Sequence, residues 1–443
     1  MKWIKYISLT IFFFFSLVFT FSLFRGDTFA NYGFSYAISL GEIPYKDFNM
    51  VITPFSPLLY SIGLFFHKSI LMYYFEQSLL LTLLFVVMKK MLENRVYLFF
   101  TLLCILWPIS FPTILFPGYN FICFLLLMIL IDFEEEKRND YIIGFFLGLL
   151  FCTKQTIGLL ALLPSCIVLL KDYRRLLKRI GGFLVPFFLL LIYLWLTNSI
   201  KEWFDLCFLG LFSFGSKNNS FSIINILFLI LGLMYIIYNI KKDNKKIINY
   251  YFLSFIIVAL PIIDYYHIAL FLLGPLFLIV REVKIDYTKK LLIPIFIILY
   301  SLNGLTLFLF LEKPVIVNWN HFPLYVVNEK YKESISKLNQ YLQSQEKRKV
   351  FLLRGSENYM FKIMNDEKIT YYDLPNYGNY GSNDEKRIEE EINNMHNVLF
   401  IIDSSLCIKD SPYQQFICSF KEKAMNNSNL IKKINQYEVY ERE

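Results

Sequence analysis

IKYISLTIFFFFSLVFTFSLF, residues 4–24, runs straight into RGDTFANYG, residues 25–33. An apolar stretch of this length is what a helix needs to cross a hydrocarbon layer of roughly 30 Å. It is longer than the apolar part of a secretory signal, roughly 7–15 residues, and no A-x-A cleavage site follows. It therefore reads as an uncleaved first helix, with Lys2 and Lys5 at its inner end. Comparable runs fall near 70–88, 96–112, 117–131, 141–153, 156–170, 180–197, 221–240, 247–263, 268–280 and 291–311. The pattern predicts a polytopic α-helical membrane protein of about eleven spans over residues 1–311.

Composition agrees with that reading. Of 443 residues, 56% are hydrophobic and only 18% charged, and mean hydropathy is +0.47. Soluble domains average about 45–50% apolar and about 25% charged. The basic residues collect in every second loop: Lys89, Lys90 and Arg95; Lys137 and Arg138; Lys171 to Arg179; Lys241 to Lys246; Arg281 to Lys290. With Lys2 and Lys5 these loops carry 20 cations, whereas the alternate loops carry 6 (Arg25, Lys46, Lys68, Lys154, Lys201 and Lys217), which places the N-terminus inside, in the cytoplasm. The net charge of +8 is thus a signature of topology. No basic face carries interleaved aromatics, so nucleic acid is not an expected partner.

Two outer loops are long. Residues 25–69 carry aromatic and aliphatic residues at near-helical spacing, which predicts two amphipathic helices in the membrane interface. A turn at Gly41–Pro44 would separate them. Residues 198–220 contain EWFDLCFLGLFSF and have the same character.

From about 312 the composition becomes that of a soluble domain. Helices are expected at 326–343, 357–364, 384–395 and 411–424, and strands at 349–353, 369–374 and 397–403. Residues 312–443 read as a small extracytoplasmic α/β domain without GxGxxG or GxxxxGK[ST]. Five of the seven cysteines lie in or beside apolar runs, and Cys407 and Cys418 lie in the outer domain, where their pairing is left open. No Cys/His spacing suggests a structural metal, and His67, His321 and His396 offer His267 no partner at ligand spacing.

Charged residues near hydrocarbon tend to mark sites when they gather on one side. Here the outer side holds Arg25 and Asp27 after the first helix, Asp47 in GEIPYKDF, and Lys154 and Gln155 at a tight turn. Asp264 and His267 stand at another tight turn. Each also has a structural reading: a capping carboxylate for Asp27, a snorkelling lysine for Lys154, a loop brace for Asp47, a capping pair for Asp264 and His267. Glu76, inside the second run, is given no role.

In this order and on this side, the residues resemble the GT-C superfamily of membrane glycosyltransferases, relatives of protein O-mannosyltransferases and the lipid A aminoarabinose transferase. ISLGEIPYKDF (38–48) followed by PFSPLLYSIGLFF (54–66) is similar to that group's G-x-P-Y-x-D-F … P-L-x-Y stretch. FCTKQTIGLLALLP (151–164) resembles its Lys-Gln turn, IIDYYHIALFLLGP (262–275) its Asp-x-x-His turn, and FPGYN (116–120), with Tyr119 and Asn120, its Tyr-Asn. The resemblance implies inverting transfer of a sugar from a polyprenyl-phosphate donor to a glycan, lipid or protein hydroxyl in the cell envelope. Asp27 would be the base that takes the hydroxyl proton, and Lys154, with Arg25 second, would stabilise the departing lipid phosphate. Gln155, Asp47, Asp264, His267, Tyr119 and Asn120 would line the substrates.

The chain departs from the family in two places. Thr28 follows Asp27 where many members carry Asp-Glu, and residues 113–119 hold no acidic residue. A divalent cation therefore remains open, without the paired-carboxylate site of some members. An envelope polysaccharide polymerase or ligase is the second reading. A lipid-linked-sugar flippase is the third, since internal repeats and midplane charges are scarce.

Overall fold

The computed structural model describes residues 2–21, 27–106, 118–169, 172–212, 222–243, 247–260, 263–283, 289–309, 312–353, 357–370, 373, 379–404 and 412–443. The protein is mostly helical, with small sheets near its C-terminus. Among the described residues, four helices are long and apolar enough to cross a membrane: α4 (Ile70–Leu92), α9 (Tyr173–Leu196), α11 (Ile223–Lys242) and α13 (Tyr265–Glu282). Shorter apolar segments occur in α1 (Lys2–Phe21), α3 (Phe55–Phe66), α5 (Arg95–Leu106), α7 (Asp140–Thr153), α8 (Gln155–Leu169), α12 (Ile247–Ser254) and α14 (Lys289–Leu309). Two further helices, α2 (Asp27–Ser39) and α6 (Tyr119–Glu135), and the short α10 (Ile200–Phe204) complete the bundle; α10 continues as a π-helical turn, Asp205–Leu209.

Bare apolar surface supports membrane association. α11 exposes Ile223 (87%), Leu227, Leu231 and Met234. A continuous aliphatic face of this kind is unfavourable in water and satisfied in hydrocarbon, where the helix also answers its own backbone polar groups.

Helices pack where side chains are small. Gly144 and Gly148 of α7 face α9 so closely that a β-carbon at Gly144 would fall on the Arg179 carbonyl. Gly182 of α9 meets the Tyr141 carbonyl in the same way. Four-residue spacing of small residues lets two backbones touch, the close packing available where lipid gives no hydrophobic drive between helices. The contact carries Arg179 into the interface, where it is 1% exposed. Its guanidinium donates to both carboxylate oxygens of Glu134, to Asp140 at 2.7 Å, and to the Ser165 hydroxyl at 2.6 Å. The sequence reading had put Arg179 in a loop, but α9 begins at Tyr173, capped by the Asp172 side chain. Nearby helix ends are tied together by Lys90 on Asp132 at 2.7 Å, Arg281 on Glu135 at 2.5 Å and Lys242 on Glu282 at 2.9 Å.

The loop 25–69 holds two helices, α2 and α3, parted by the turn at Gly41. Its burial differs from the expectation: residues 29–39 are buried on every side. The reason is the C-terminal region, which lies on α2. β1 (Pro314–Trp319) and β2 (Phe322–Asn328) form an antiparallel hairpin, and Phe322 and Tyr325 pack on Phe29. Tyr359, in α16 (Glu357–Met364), presses against Gly33 so tightly that a β-carbon there has no room. Tyr36 and His321 both meet Asp366, at 3.3 and 2.6 Å.

Beyond the hairpin, α15 (Glu329–Gln343) starts at the Asn328 cap, three residues later than expected because β2 takes 322–328. β3 (Arg348–Leu352), β4 (Val398–Asp403), β5 (Asn429–Ile434) and β6 (Tyr437–Arg442) form one sheet in the order β3-β4-β6-β5, with β3 parallel to β4. α17 (Asp384–Asn393) and α18 (Pro412–Met425) pack beside it. All of β4 is buried: Leu399 and Ile401 join the main core, Phe400 and Ile402 a second one. The described residues of the expected strand 369–374 are not in a strand. Asp373 turns back instead, accepting from the Thr370 N–H. Cys418 is disulfide-bonded, whereas Cys104, Cys123, Cys152, Cys166 and Cys207 form no disulfide; Cys407 lies outside the described residues.

Candidate functional site

Three of the residues singled out in the sequence come together. α7 ends at Thr153, Lys154 takes an extended backbone as its C-cap, and α8 starts at Gln155. This abrupt turn leaves the Lys154 side chain half-buried beside the start of α6. Its Nζ donates to the Asn120 side-chain Oδ1 at 3.3 Å and lies 5.2 Å from the centre of the Tyr119 ring. Asn120 is itself buried. Among the described residues no carboxylate pairs with this ammonium, so a half-buried cation is answered only by a neutral amide and a π face.

α2 closes the group from another side. A β-carbon at Gly118, the residue before α6, would come within 3.0 Å of the Asn31 side chain. Asp27 opens α2 one helical turn ahead of Asn31. The Asp27 side chain and all of Arg25 lie outside the described residues.

The other candidates sit elsewhere. Gln155 is buried and donates its amide to the Cys207 carbonyl in the π-helical turn, so it braces α8 against that segment. Asp47 is exposed and accepts the Ile43 N–H at 2.7 Å, holding the turn after Gly41. Asp264 caps α13, taking both the N–H and the Nδ1 of His267 at 2.8 Å. Burial works against the charged Asp264, but His267 and the helix N–H groups outweigh it and hold the carboxyl below its ordinary range. Among the described residues no hydrogen bond or ion pair joins this pair to Lys154.

One residue escaped the sequence reading. Glu42, five positions before Asp47, is 6% exposed, and neither carboxylate oxygen has a hydrogen-bond partner among the described residues. It lies under the C-terminal region, near the buried ion pair of Lys362 and Asp373, 2.9 Å apart. Burial pushes its carboxyl up to about 7; Asp47 and Asp373 add to the rise, while Lys368 and Lys362 oppose it. Nothing in GEIPYKDF marks Glu42 over Asp47, because its burial depends on chain more than three hundred residues away. From Asn31 to Ser39 α2 rises about 12 Å, so Glu42 and Lys154 occupy separate places along it.

A divalent cation finds no group of three or more His, Cys, Asp or Glu able to hold it among the described residues. Comparison of the chain with protein-family models, with curated proteins and with solved structures gives no match.

Proposed function

We propose that this chain is an integral-membrane glycosyltransferase of the GT-C type, moving a sugar from a polyprenyl-phosphate donor to a cell-envelope hydroxyl on the outer side of the cytoplasmic membrane. The observation that carries the reading is Lys154: a half-buried cation beside Asn120 and Tyr119, with no carboxylate paired to it among the described residues. Such a cation suits a ligand that brings its own negative charge. In the proposed reaction the acceptor hydroxyl attacks the anomeric carbon from the face opposite the phosphate. Its proton passes to Asp27, the bond from sugar to phosphate oxygen breaks, and Lys154 meets the charge that develops there. The free lipid phosphate and an inverted glycoside are the products.

The topology that goes with this activity has about eleven crossings, N-terminus inside and residues 312–443 outside. The disulfide at Cys418 supports an oxidising compartment for that region.

The test uses full-length protein in detergent with a panel of polyprenyl-phosphate sugars, comparing wild type with Asp27→Asn and Lys154→Ala. Wild type and Asp27→Asn should bind one donor equally, Asp27→Asn should lose transfer, and Lys154→Ala should bind the donor on the order of tenfold more weakly. Unchanged transfer by Asp27→Asn would remove the base. Binding of a diphosphate-linked oligosaccharide, with no monosaccharide donor bound, would favour a polymerase or a flippase.

A further inference from the structure

A second charged site lies at the end of the bundle where α7 and α9 begin. A cavity of about 680 Å³ opens there, bounded by the ends of α6 and α8 and the start of α12. Five cationic and two anionic side chains line it. Both anions are already committed: Glu134 to Arg179, and Asp140 to Arg179 and Arg175. Arg138 is held by Glu136 at 2.7 Å. That leaves Lys137 and Lys178, both exposed, with no side-chain partner among the described residues. Lys137 also sits at the end of α6 with a φ of +53°, a backbone that glycine adopts more readily than lysine.

The helix ends that form the cavity are apolar outside it. Tyr173 and Leu177, each 62% exposed, stand on the first turns of α9, and Tyr141 and Ile142 are exposed at the start of α7. An occupant that satisfies both features carries negative charge at one end and hydrocarbon at the other. We propose that this cavity holds the phosphate headgroup of an anionic phospholipid, with Lys137 and Lys178 against the phosphate and the chains running out over the exposed apolar surface of the helix ends. The Arg179 network forms a rigid, neutral floor that keeps the two lysines free for the ligand. This site does not depend on the transferase reading, which concerns the opposite end of α7.

The experiment measures retention of fluorescent phosphatidylglycerol and phosphatidylcholine by full-length protein in neutral detergent. Wild type should hold phosphatidylglycerol on the order of tenfold more tightly than phosphatidylcholine, and added salt should narrow the gap. The double variant Lys137→Gln/Lys178→Gln should lose that preference, Lys137→Arg/Lys178→Arg should keep it, and the control Lys201→Gln/Lys241→Gln should match wild type. The proposal is overturned if the glutamine variant retains phosphatidylglycerol as wild type does, or if wild type does not distinguish the two lipids. It is also overturned if glycerol 3-phosphate alone binds as tightly as phosphatidylglycerol, since a soluble phosphate would then be the occupant.

Discussion

The two ends of α7 handle charge in opposite ways. At its start, Asp140 shares Arg179 with Glu134, and the buried guanidinium is answered from three sides. Just past its end, Lys154 has an amide oxygen and a ring. The ends are about 20 Å apart along the helix axis. A charge paired within the fold serves the fold, and removing its partner leaves a buried ion exposed to the full desolvation penalty. A charge the fold leaves half-answered adds little to stability and keeps its binding capacity for something else. Glu42 belongs with Lys154 in this respect, although it lies at the other end of α2.

The contrast breaks first at Arg179. Arg179→Met leaves the buried Glu134 without its cation and Asp140 with Arg175 alone, and should destabilise the protein by about 3–5 kcal/mol, read as a shift of the thermal unfolding midpoint in detergent. A variant as stable as wild type would mean that the paired end is not structural. Glu42 comes next. Its folded-state pKa of about 7 lies above the ordinary carboxyl value, so the folded protein binds a proton that the unfolded chain releases. Stability should be full below about 4.5 and fall as pH rises through about 7, by roughly 3 kcal/mol in all. Glu42→Gln should flatten that fall; an unchanged pH profile would show that the carboxylate has a partner in the membrane-bound protein. The smallest effect is expected at Lys154, where Lys154→Met should stay within about 1 kcal/mol of wild type, because no carboxylate among the described residues is paired with it. A loss as large as that at Arg179 would make the lysine structural and weaken its proposed role with the donor.

How much of this was legible in the sequence depended on the range of the interaction. The apolar runs, the turn at Gly41 and the helices expected at 326–343 and 357–364 rest on local pattern, and the structure has them, the first of the two helices starting at Glu329. Tyr119, Asn120 and Lys154 could be named separately as candidates, and their meeting joins two motifs more than thirty residues apart. The hairpin at 314–328 was missed because PVIVNW follows the last apolar run after only Glu312 and Lys313 and carries no turn signature that announces its pairing with 322–328. Arg179 was counted with its basic neighbours as a loop residue; only the glycines that let α7 and α9 touch reveal that it is inside. The burial of α2 and the isolation of Glu42 both follow from one long-range event, the docking of the C-terminal region on α2.

That docking also imposes an order in time. Gly33 and its neighbours in α2 leave the ribosome early, and Tyr359, which covers them, is made more than three hundred residues later. At synthesis rates of about 5–20 residues per second, the interval is roughly a quarter of a minute to a minute. Through that period Phe29, Tyr32 and Tyr36 have no lid, and the newborn helix must lie against lipid or a helper protein until the last quarter of the chain arrives.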